Sequence, residues 1–261
     1  MKLKILIIIY ILFYLNKIHS QSIFSALRHD DNLELRDSVD VSEITTEIKF
    51  YNENNIEQKK ETTVVNSNNK LVTEQRYNDD FRLTERISFL YDSTQTKSLS
   101  RKFEKWHPII GYSFETANYE YDQSGFLIKV IDKNKAGKIF RETSIKNDDR
   151  GNPIELKLTE FNNVDYGMET AEYNYEDNSV VIKVSDSEEN VLSTNTMRID
   201  YSRKGKNDII NEFGDLIKYD DYEFDFKYDK WGNWIKQIRY KIIKGKKQKN
   251  AEFNRRIKYK K

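Results

Sequence analysis

The sequence predicts an all-β fold: an antiparallel β-meander of hairpin repeats about 27 residues long, a twisted, curled open sheet that is single-layered in part. Three observations predict it. In the stretch YEFDFKY, Tyr222, Phe224, Phe226 and Tyr228 alternate with charged residues, so one strand face is aromatic and the other charged. An Asp-x-x-Gly turn closes that strand at Asp229–Gly232, and its relatives recur up the chain at spacings of 26 to 28 residues. The composition pairs 17 Tyr and 14 Phe with 37% hydrophobic and 33% charged residues, which suits a sheet with a wet face.

The elements follow in chain order. Lys2 and Lys4 precede an apolar run from Ile5 to Leu15 and a polar stretch ending in Ser20, the pattern of a secretory signal peptide over 1–20. The run is shorter than the roughly 20 residues a membrane helix needs. Residues 21–45 read as a leader or first strand, and 46–261 as the repeat array. Tyr51–Asn55 and Tyr77–Asp80 are turn signals 26 residues apart, with Asn in place of Gly. The next signal is 44 residues on at Tyr121, so an irregular segment is expected over about 92–116, where Trp106-His107-Pro108 lies. Regular units then start at Tyr121, Asn147, Tyr175, Tyr201 and Tyr228, with isoleucine seven residues on at Ile128, Ile154, Ile182 and Ile235. A second turn signal midway through most periods makes each unit a strand pair, about a dozen strands in all. After the last turn, Trp234, Ile238 and Tyr240 are expected on one face of the returning strand. Of the two prolines, Pro153 follows a turn, where a strand tolerates it.

At these residues the chain resembles the RHS/YD-repeat proteins of bacteria. Tyr121-Asp122-x-x-Gly125 and Tyr228-Asp229-x-x-Gly232-Asn233 match the motif that names the family, and the likeness extends over roughly 46–259. It implies a β-meander that curls on itself and a surface or secreted life, in a short form without a toxin domain.

Candidate sites carry two readings each. The turn aspartates are acceptors for backbone amides before they are catalytic carboxylates, and no pair stands out among 43 acids as glycosidase chemistry requires. The doublets Asp79-Asp80, Asp148-Asp149 and Asp220-Asp221 lack the spaced oxygens of a calcium loop. With no cysteine, and only His29 and His107, far apart in sequence, left once the signal peptide is removed, metal and Cys-His sites are not expected. From Lys241 to Lys261, ten Lys or Arg face one acid, Glu252; the run reads as a guarded edge strand or an anion-binding strip.

No catalytic, cofactor or metal residue is therefore nominated. Loss of Lys2, Lys4 and Lys17 leaves 41 basic against 43 acidic residues, and overall charge points to no partner. The expectation is an exported, non-catalytic scaffold or interaction protein of the bacterial cell envelope or exterior. Its partner would be a protein or an anionic glycan of the envelope, and not nucleic acid. The alternatives are a glycan-binding module using Trp106, Trp231 and Trp234, and a secreted hydrolase with a carboxylate pair.

Overall fold

The computed structural model describes residues 22, 23, 33, 35, 36, 40–52, 55–160, 164–200 and 208–260. The expected signal peptide over 1–20, His29 and the turn expected at Tyr201 lie outside them. The described residues form 17 strands in one sheet. They are β1 (Val41–Tyr51), β2 (Ile56–Val65), β3 (Leu71–Tyr77), β4 (Leu83–Tyr91), β5 (Ser98–His107), β6 (Gly111–Tyr121), β7 (Leu127–Asn134), β8 (Ile139–Asn147) and β9 (Pro153–Glu160). Then follow β10 (Val164–Asn174), β11 (Ser179–Ser185), β12 (Val191–Arg198), β13 (Ile209–Ile210), β14 (Leu216–Tyr219), β15 (Tyr222–Tyr228), β16 (Trp234–Ile243) and β17 (Lys246–Tyr259).

Consecutive strands pair as antiparallel hairpins from β1 to β12 and again from β13 to β17. One further ladder joins β1 to β17, with Ile44 opposite Ile257 and Phe50 opposite Ala251. Among the described residues no pairing register joins β12 to β13. Laid flat, 17 strands about 4.8 Å apart would hold those flanks roughly 77 Å from each other. Yet Arg198, ending β12, grips the carboxylate of Asp208, which precedes β13, with Nη2 to Oδ1 at 2.9 Å. Its guanidinium also lies 4.8 Å from the Tyr219 ring on β14. The sheet therefore bends round until its flanks meet. Directions alternate along every ladder, so β12 and β13 run the same way, and a regular antiparallel ladder cannot close the seam.

The turns fall on two rims. Those at 52–55, 78–82, 108–110, 134–138, 186–190 and 244–245 share one rim. Those at 66–70, 92–97, 122–126, 148–152, 175–178, 211–215 and 229–233 share the other, where Asn68 bonds Thr94, Asn152 bonds Tyr175 and Lys260 bonds Asn66. This corrects the irregular segment expected over 92–116. That stretch is the regular hairpin β5–β6, with Trp106 opposite Tyr112. Tyr77 and Tyr121 sit on opposite rims, so their 44-residue spacing is one and a half periods.

The two faces differ as the alternation requires. One face buries Ala117, Val130, Ile145, Leu156, Ala171, Val180 and Ile182 on β6 to β11 as a continuous core, with Ile23 of the leader packed onto it. A second cluster joins Val41, Ile44 and Val65 to Leu33, Leu35, Ile257 and Tyr259. The leader is thus tied down at both ends: the Ile23 amide donates to Glu169 Oε2 at 2.7 Å, and the Arg36 amide to Asn233 Oδ1 at 2.8 Å.

Two sequence expectations are corrected by register. A bulge after Asp229–Gly232 pairs Tyr228 with Trp234 but Lys227 with Lys236, so Trp234 shares the face of Phe226, while Ile238 and Tyr240 point the other way. Trp234 is buried, with Phe226 at 6.4 Å and the Arg255 guanidinium 3.4 Å from its ring centre. The basic C-terminal strand is no guarded edge either: β17 pairs with β16 on one side and β1 on the other.

Candidate functional site

The repeated aspartates are engaged at the rims. In most five-residue turns the first side chain accepts amides two and four residues on, while Asn78 and Asp122 accept the amide four residues on. Asp148 Oδ1 takes Arg150 and Asn152, Asp229 Oδ1 takes Trp231 and Asn233, and Asn211 and Asp186 repeat the pattern. The glycine in fourth position has positive φ, +82° at Gly151 and +80° at Gly232, the conformation that favours a residue without Cβ.

The tyrosine before the turn has its own task. Tyr91, Tyr121 and Tyr173 each donate their hydroxyl at 2.8 Å to a carbonyl at the start of the strand after the preceding turn on that rim: Leu71, Ser98 and Pro153. Tyr173, not Tyr175, therefore occupies the motif position in its unit. Tyr175 belongs to a second set in which the first and fifth turn side chains clasp a tyrosine hydroxyl from a neighbouring turn or strand. Asp148 and Asn152 hold Tyr175, Asn211 and Asp215 hold Tyr228, and Asp229 and Asn233 hold Tyr259. Burial, and then the acceptor carboxylate, raise the hydroxyl of Tyr259 to about 12, so it stays a donor. The Asn after the glycine in the Tyr228–Asn233 motif is explained by this clasp.

The remaining sequence candidates are scattered. Asp79-Asp80, Asp148-Asp149 and Asp220-Asp221 lie in separate turns or at their edges. No group of three metal-ligating side chains occurs among the described residues. His107 Nδ1 accepts the amides of Ile109 and Ile110 and so closes the β5–β6 turn. The tryptophans do not form one platform: Trp234 is inside, Trp231 is exposed at the rim of 229–233, 6.1 Å from Tyr259, and Trp106 lies near the opposite rim.

The outer face of β4 to β7 carries the candidate binding surface. Alternation places Arg86 and Ser88 of β4, Ser100, Lys102, Glu104 and Trp106 of β5, and Tyr112, Phe114, Thr116 and Asn118 of β6 together there. Trp106 and Tyr112 lie 5.4 Å apart, and Tyr112 and Phe114 6.0 Å. Arg86 stands over Trp106, Lys102 over Phe114 and Lys135 over Tyr112. At the centre Glu104 accepts Arg86 Nε at 2.6 Å, Tyr112 Oη at 2.7 Å and Lys102 Nζ at 3.0 Å. Arg86 first, then Tyr112 and Lys102, hold its carboxyl down at about 2. A shallow groove of about 370 Å³ continues past it, lined by Ser88, Leu90, Ser100, Lys102, Asn118 and Lys133 among others. This surface suits binding: it offers aromatic faces, hydroxyls and ammonium groups, and its central carboxylate is held ionised rather than poised to give a proton.

Sequence reasoning named only Trp106 here. The signal lay in pairing Lys102–Glu104–Trp106 with Tyr112–Phe114–Thr116 across one tight turn, which the irregular reading of 92–116 obscured. It also passed over a buried ion group on the inner face: Asp132 of β7 accepts Arg101 Nη2 at 3.0 Å and Arg141 Nε at 2.7 Å. Glu169 has its carboxyl raised by burial, against which the Ile23 amide bond acts. Its cross-strand neighbours are Leu156 and Val184, so it anchors the leader without a partner acid opposite.

No family model and no curated protein matches the chain. Among solved structures, a porin-like protein from Bacteroides uniformis is similar at TM-score 0.47 and 12% identity, over 84% of this chain and 96% of that one. The TcdB2-TccC3-Cdc42 complex is similar at TM-score 0.35 and 13% identity, over 78% of this chain and 14% of that one. TcdB2-TccC3 without its hypervariable C-terminal region gives TM-score 0.20 at 9% identity, over 92% of this chain and 18% of that one. Likenesses this weak carry no argument about function. Among the described residues no helix is long and apolar enough to cross a membrane, which leaves strands out of account.

Proposed function

We propose that the chain is a non-catalytic, exported scaffold or interaction protein of the RHS/YD-repeat type in its short form. One observation carries the reading. The Tyr-Asp-x-x-Gly chemistry goes into joining turn to turn: the aspartates hold amides, the tyrosines staple neighbouring repeats, and the Asn clasps fix the rim. Such residues build a frame that displays the two faces and the opposite-rim turns. Fractionation followed by envelope pull-down with the tagged chain tests the proposal. The expected result is recovery in exported fractions with a reproducible partner. Recovery in the cytoplasm refutes it.

A second reading, binding of an anionic glycan, is favoured by the Trp106–Tyr112–Phe114 surface with Lys102 and Lys133 beside it. It no longer draws on Trp231 and Trp234. Binding to immobilised acidic polysaccharide that survives Trp231→Ala and is lost in Trp106→Ala supports it; the reverse pattern removes it.

A further inference from the structure

Six of the seven most exposed large apolar residues among those described lie at one rim. They are Ile109 (91% exposed), Ile110 (83%), Leu192, Val191, Phe81 and Ile56; Leu90 is the exception. They come from four separate hairpins: Ile56 after the turn at 52–55, Phe81 within 78–82, the two isoleucines at 108–110, and Val191 and Leu192 after 186–190. The opposite rim is the one locked by tyrosine clasps. Apolar residues are normally exposed singly, and a concentration of this kind marks a contact surface.

We propose that this rim seats on a lipid bilayer, with Ile109 and Ile110 as its leading contact. The tip is convex, and its companions are spread round a rim, so a pocket on a protein would have to be complementary to four hairpins at once. A flat, deformable apolar medium meets them all. The hairpin also has the layering of an interfacial anchor. Behind the isoleucines comes the pair His107 and Gly111, then the facing pair Trp106 and Tyr112. At about 3.3 Å per residue the aromatic pair sits roughly 7 Å behind the tip, near the depth at which interfacial segments place amphipathic rings.

Charge on this rim is mixed. Arg82, Lys135, Lys138, Lys244, Lys246 and Lys247 are offset by Asp79, Asp80, Asp186, Glu188, Glu189, Asp220 and Asp221. Apolar insertion therefore drives the contact, and salt should weaken it little. The proposal goes beyond the scaffold reading, and its failure leaves that reading standing.

The test is co-sedimentation of the full chain with phosphatidylcholine vesicles, at low and high salt, alongside quenching by brominated phosphatidylcholine. Expected are binding that persists at high salt and is lowered about tenfold or more in Ile109→Ser/Ile110→Ser. That variant should melt like the native chain, because both residues are exposed. Quenching should vanish in Trp106→Phe and persist in Trp231→Phe, since Trp231 is on the far rim. No vesicle binding, equal binding by the double variant, or quenching that follows Trp231 overturns the proposal. So does capture of a stoichiometric envelope protein through Ile109 and Ile110 without vesicle binding.

Discussion

Replacing Asp132 by Ala should be the most damaging single change in the sheet. The Asp132 side chain is 0% exposed, and it is held by Arg101, 1% exposed, and Arg141, 9% exposed. The three stand on neighbouring ladders, Ala117 opposite Asp132 and Asp132 opposite Arg141, so the sheet cannot move one away from the others. Without the carboxylate, two guanidinium groups in a dry site lose the acid they share. Breaking a buried pair in this way costs about 3–5 kcal/mol. At about 2–4 °C per kcal/mol for a chain of this size, Tm should fall by roughly 6 to 20 °C. Thermal melting by circular dichroism, with urea unfolding to compare midpoints, measures it. The control replaces the whole group: Arg101→Met/Asp132→Leu/Arg141→Met should recover most of the loss, because it removes the charges along with their need for partners. An Asp132→Ala protein within about 0.5 kcal/mol of the native chain, the scatter of ordinary surface substitutions, would refute the argument. It would mean that water or backbone motion relieves the two arginines.

Other substitutions test the frame. Tyr259→Phe removes the hydroxyl that Asp229 and Asn233 share, and should cost about 1–3 kcal/mol in urea unfolding. Alkaline titration reads the same group: its folded pKa of about 12 lies above the ordinary 10, so its contribution is complete below pH 10 and lost between 10 and 12, and the Phe variant should lack that loss. Glu104 has the opposite sign. Its folded value of about 2 lies below the ordinary 4.5, so its share of stability is present above pH 4.5 and disappears towards pH 2, and Glu104→Gln should flatten acid unfolding there. Two glycines separate backbone strain from crowding. Gly137→Ala meets no atom within 4 Å and should cost about 1 kcal/mol for its positive φ alone, while Gly151→Ala puts Cβ 2.5 Å from the Phe126 ring and should cost at least about 1 kcal/mol more.

What the sequence made legible was local. Period-two alternation and Asp-x-x-Gly turns depend on a few adjacent residues, and both appear where 222–232 placed them, with Gly232 at positive φ and Asp229 under the turn amides. Faces beyond a turn were harder to read. A bulge adds one residue and reverses the side chains that follow, which is how Trp234 went inward while Ile238 did not. Ile182 is buried where Ile128 and Ile154 are exposed, because the turn at Tyr175 carries its motif tyrosine two residues earlier, at Tyr173. Non-local pairing left no mark in the spacing. Nothing in Lys246–Tyr259 announces that β1 will cover it, since β-pairing preferences do not name a partner 200 residues away.

The pairing of first and last strands ties these pieces together. A meander alone leaves two long edges, each able to recruit another chain. Here β1 and β17 satisfy each other, and the remaining flanks are the short β13 and the end of β12, where Arg198 holds Asp208 and the Asn178 side chain ties both backbone groups of Asp200. The same parity that joins β1 to β17 forces β12 and β13 to run in one direction, so the irregular step in the repeat follows from joining the ends. A change that loosened this step, Asp208→Ala, should therefore leave the β1–β17 ladder protected in hydrogen exchange while β13 and β14 open first. If β1 and β17 lost protection before them, the frame would be held at the seam rather than at the joined ends.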